Sequence, residues 1–69
     1  MSGDERKKSE ILLNQWIKHN REHAEEFSKW AEKAKDFGQT IVNDEILEAV
    51  QQMNQANECL LRALEKLQD

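Results

Sequence analysis

From residue 13 onward, apolar and polar positions alternate at helical spacing. Leu13, Trp16, Asn20, His23, Phe27, Trp30, Ala34 and Phe37 follow one another at alternating steps of three and four. Steps of this kind keep one row of side chains on one side of an α-helix, as in a heptad seam. Ile17, Ala24 and Ala31 widen the stripe along a neighbouring row. No Pro or Gly interrupts it, and opposite charges sit four apart at Lys18–Glu22, Arg21–Glu25 and Glu25–Lys29. Ser9 reads as the N-cap, with Glu10 in the first turn near the positive end of the helix dipole. The pattern predicts a helix over about 9–37. Residues 1–8 are polar and aperiodic and read as a disordered tail.

Gly38 follows the last seam residue, where a left-handed residue commonly ends a helix. Thr40 or Asn43 can cap the next helix. Val42, Ile46, Ala49, Met53, Ala56, Leu60, Ala63 and Leu67 then form a second seam, with Val50, Asn57 and Leu64 on one adjacent row and Leu47, Asn54 and Leu61 on another. A second helix is expected over about 41–67, so the domain spans 9–69. Long helices joined by two or three residues run antiparallel, which makes the fold class all-α, a helical hairpin. Ala24 and Ala31 on the first helix, and Ala49, Ala56 and Ala63 on the second, recur every seven residues and suggest a hairpin tight along those rows, with the bulky Trp and Phe residues on the flank.

The expected core and interface comprise Leu13, Trp16, Ile17, Phe27, Trp30 and Phe37 on the first helix. The second supplies Ile46, Val50, Met53, Leu60, Leu64 and Leu67. This arc is wider than one partner helix covers. A core of this size also struggles against chain entropy. Two hairpins dimerised into a four-helix bundle are the simplest remedy. A folded-back N-terminus or a different protein partner would serve the same need.

Composition narrows the choices. In 69 residues there is no Pro, two Gly and one Cys, which argues against a many-stranded or disulfide-built fold. The net charge is -4, all of it in the second half: residues 1–37 balance eight basic against eight acidic groups. With no basic stripe, nucleic acid is not an expected partner. No apolar run suggests a membrane span or an export signal. With a free Cys, a cytoplasmic location is the expectation.

Asn20, His23 and Asn57 break the apolar seams. Antiparallel pairing sets Asn20 level with residues 59–60 and His23 with 56–57, so the three form one polar layer. Such a layer can fix register and oligomeric state at some cost in stability, or be solvated at a bundle edge. A metal site is the sharper reading. His19 and His23 project from one helix face, a chelating geometry for zinc, nickel or copper. Cys59 could add a thiolate, and Glu22, Glu26 or Glu58 a carboxylate. A buried free Cys is more often a small hydrophobe. The string His19-Asn20-Arg21-Glu22-His23 also matches the H-x-x-E-H pattern of one zinc-peptidase class, but so short a chain has no room for that scaffold. No catalytic residues are assigned and no enzyme activity is expected. Trp16 and Trp30, two heptads apart, read as core or as part of a partner groove.

Trp16-Ile17-x-His19-Asn20-x-x-His23-x-x-x-Phe27-x-x-Trp30-Ala31, followed by Ile46-Leu47-x-Ala49, Met53-x-x-Ala56-Asn57 and Leu60-Leu61-x-Ala63-Leu64, resembles a small helical domain family of unknown function in bacteria and archaea. The resemblance covers about residues 12–67. Many members carry a His just before the Trp. Gln15 stands there in this chain, which would remove one potential ligand. The resemblance implies no activity. The sequence thus points to a non-catalytic, self-associating or partner-binding module, with a metal-binding accessory protein as the alternative.

Overall fold

A computed structural model describes residues 3–68. They form two helices, α1 (Gly3–Asp36) and α2 (Thr40–Gln68), packed as an antiparallel hairpin measuring 53 × 14 × 12 Å. The long axis matches α1 itself, since 34 residues at 1.5 Å each span about 51 Å.

α1 starts at Gly3, so the tail expected over residues 1–8 is helical from residue 3; Met1 and Ser2 lie outside the described residues. Extending an existing helix needs propagation only, and no costly new nucleus. Asp4 and Glu5 sit in the first turn, where the dipole favours negative charge. Ser9 is therefore internal: its hydroxyl donates to the Glu5 carbonyl at 2.9 Å. The added turns reach the far end of α2, where the Arg6 guanidinium donates to the Leu67 carbonyl. That carbonyl is among those a helix end leaves without an intrahelical partner.

The turn between the helices is tight. Gln39 N–H donates to the Ala34 carbonyl at 2.8 Å and Gly38 N–H to the Lys35 carbonyl at 3.1 Å. This pair of bonds is a Schellman ending. Gly38 has φ of 88°, the left-handed conformation that Gly adopts without a Cβ penalty. Asn43 does not cap α2. Its backbone N–H donates to the Gln39 carbonyl, and its side chain turns toward α1.

The buried seam lies one row away from the expected one. On α1 it follows Ile17, Ala24, Ala31 and Ala34, with Leu13 and Asn20 half-buried. On α2 it follows Asn43, Asn57 and Leu64, flanked by half-buried Ile46, Val50, Met53, Leu60 and Leu67. Trp16, Phe27, Trp30 and Phe37, expected in the core or interface, lie outside the helix contact on the flank of the Ala24–Ala31 row and are exposed, the two Trp residues at 48% and 54%. Ala56 and Ala63 are exposed as well. The reason is steric. Alanines on α1 let the helices approach closely, and indole rings cannot enter so narrow a gap.

Candidate functional site

Three features stand out: an asparagine ladder inside the hairpin, an apolar face outside it, and a histidine pair beside that face.

The ladder follows from the close approach. Asn43 donates its amide to the Ala31 carbonyl at 2.8 Å, and Asn57 donates to the Ile17 carbonyl at 3.1 Å. Both Asn residues are buried. Asn57 also accepts from the Asn20 amide at 2.8 Å. Each acceptor carbonyl has a second lone pair beyond its helical bond, so the ladder adds bonds without removing any. Among the described residues, no buried side-chain nitrogen or oxygen lacks a partner. Asn20 and Asn57 therefore meet, but in a register shifted from the expected one: Asn57 lies across from Ile17 and Asn43 across from Ala31.

His23 does not join them. It is exposed, and its ring centroid lies 6.1 Å from that of Phe27 and 6.4 Å from that of His19. It sits one residue before buried Ala24. At about 100° per residue, that turns it from the seam onto the flank. His19, His23, Glu22 and Glu26 line one shallow hollow on α1.

Cys59 is not brought to the histidines. It is exposed on α2 and accepts a hydrogen bond from Arg62 at 3.2 Å. His19 and Cys59 each fall two residues after a buried seam residue, Ile17 and Asn57. Two residues rotate a side chain by about 200°, so both point away from the helix contact. Among the described residues, no group of three or more His, Cys, Asp or Glu is placed to hold a metal ion.

The apolar face lies on the flank of the helix contact. A groove lined by Phe27, Trp30, Ile46 and Ala49, with Glu26 and Glu45 at its edges, runs between the helices. Lys33 Nζ lies 4.2 Å from the centre of the Trp30 ring, an attractive cation–π contact. The heptad repeat extends both walls. Trp16, His23 and Phe37 share the row of Trp30, while Val42, Ala56 and Ala63 share the row of Ala49. One wall is thus bulky and the other small. A second hollow, between Arg21, Ser28 and Asn54, has a polar rim. No described helix is long and apolar enough to cross a membrane.

No curated protein and no solved structure matches the chain. A family described as "Domain of unknown function (DUF8180)" matches residues 9–67, which takes in both helices except the first turns of α1 and the last residue of α2. By that match the chain belongs to the DUF8180 family.

Proposed function

We propose that this chain is a non-catalytic helical module that acts by burying its apolar face against protein, foremost against a second copy of itself. One observation carries the reading: ten large hydrophobic residues are exposed, while the buried hydrophobics are Ile17, Leu64 and three alanines. Of the ten, Trp16, Phe27, Trp30, Phe37 and Val42 fall on one side of the hairpin; exposed apolar surface gathered on one side marks interaction sites, and Trp is enriched at binding hot spots. The charge distribution, with no basic stripe, favours protein over nucleic acid as partner. The exposed thiol of Cys59 suits a reducing compartment, in keeping with a cytoplasmic module. Sedimentation velocity across a concentration series tests the reading. A mass rising from one chain to two supports it. A single-chain mass at every concentration sinks self-association.

A second reading rests on the His19–His23 pair. The rings share one helix face with Glu22 and Glu26, which suits zinc, nickel or copper. Completing the ligand set would take donors from a second chain. Calorimetric titration with nickel and with zinc tests this reading. It requires stoichiometric binding that disappears in His19→Ala and in His23→Ala.

A further inference from the structure

We propose that the second copy seats on the Trp16–Trp30 face, with α1 of each copy lying along α2 of the other and both interhelix turns at the same end of the bundle. The proposal rests on the self-association reading and specifies its geometry.

The area argues for a partner of this size. A compact 8.1-kDa monomer exposes about 4,500 Å². This chain exposes 5525 Å², an excess of about 1,000 Å². Each partner in a standard interface gives up about 800 Å². One further hairpin laid along the face would remove that excess.

The shape of the face argues for the orientation. The bulky row lies on α1 and the small row on α2, side by side. Asn57 pairs with Ile17, and Asn43 with Ala31. Trp16 is therefore level with the stretch between Ala56 and Ala63, and Trp30 with the stretch between Val42 and Ala49. A second copy related by a two-fold axis parallel to the helices lays its rings into those gaps and receives the first copy's rings in its own. Ridges then enter grooves on both sides, and the contact is made twice by symmetry. Turning the second copy end over end would set rings against rings and alanines against alanines. That would hold the α1 pair apart and leave the α2 pair loosely packed. The favoured orientation also brings Lys33 of each copy within about a helical turn of Glu45 of the other, a complementary pair at the rim.

The test places a nitroxide on Gln39→Cys, at the turn, in a Cys59→Ser background, and measures the spin–spin distance in the dimer. With interaxial spacings of 8–10 Å, turns at one end lie under about 30 Å apart. Turns at opposite ends would lie close to the 53 Å length of the hairpin. A short distance is expected. A long distance in a dimer of normal mass overturns this arrangement and leaves self-association standing. A single-chain mass at all concentrations sinks both. Ala56→Trp fills a gap on the face at an exposed position, so helicity should hold while dimer affinity falls at least tenfold. Leu61→Glu, on the other side of the hairpin, should leave the dimer intact. An Ala56→Trp dimer as tight as the parent also overturns the proposal.

Discussion

Asn43 and Asn57 stand fourteen residues apart on α2, and the carbonyls they reach, Ala31 and Ile17, stand fourteen apart on α1. The matching repeat pins one register, because sliding either helix would strand both amides in an apolar seam. Asn57 does more than Asn43, since it also accepts from Asn20. Asn57→Ala removes both bonds and should cost about 1–2 kcal/mol. Asn57→Asp keeps an acceptor for Asn20 but turns a carboxylate oxygen toward the Ile17 carbonyl. Burying that charge without a donor should cost more, about 2–4 kcal/mol. Urea denaturation of the two variants orders them, and an Asp variant as stable as the Ala variant would contradict the hydrogen-bond assignment. Asn20 and Asn57 could be read as partners from sequence because they interrupt rows that are otherwise apolar. Asn43 could not, because a polar residue at the start of a helix reads equally well as a cap.

The two helices and their turn were legible because Gly38 separates two long stretches of unbroken 3–4 spacing. The contact face was legible only in part: the Ala24–Ala31 spacing marked the close row on α1, whereas on α2 the buried row is that of Asn43, Asn57 and Leu64 and not that of Ala49, Ala56 and Ala63. Leu13, Asn20, Phe27 and Ala34 fit a seam with the Trp16–Trp30 row and equally one with the Ile17–Ala31 row. Hydrophobicity favours the aromatic row, whereas packing between two close helices favours the alanines. Ala31 is 0% exposed, with Asn43 bonded to its carbonyl. Ala31→Leu should therefore cost about 1–3 kcal/mol through overpacking. Ala63→Leu, at an exposed position, should stay within about 0.5 kcal/mol in dilute protein. The reverse order in thermal melts would restore the other row. At the turn, a Cβ on Gly38 would meet nothing within 4 Å. The cost of Gly38→Ala is then purely conformational, about 1–2 kcal/mol, and Gly38→Asn should recover part of it in the same melts.

At the scale of the molecule, a two-helix hairpin is one helix deep, so side chains on the flank of the helix contact, Trp16 and Trp30 among them, stay exposed. A second hairpin laid along the face, as proposed above, would cover Trp16 and Trp30. Their indoles report directly on that event, because water around an excited indole shifts its emission to longer wavelength. In dilute protein both side chains are about half exposed, so emission should lie toward the wavelength of indole in water. Raising the concentration should move it to shorter wavelength, with the same midpoint as the mass transition in sedimentation. Trp16→Phe and Trp30→Phe leave one reporter each. The proposed two-fold arrangement seats Trp16 between Ala56 and Ala63 and Trp30 between Val42 and Ala49. Both single-Trp variants should therefore shift. A shift confined to Trp30 would mean that the contact covers only the turn end of the face, and that a partner shorter than a second hairpin occupies it.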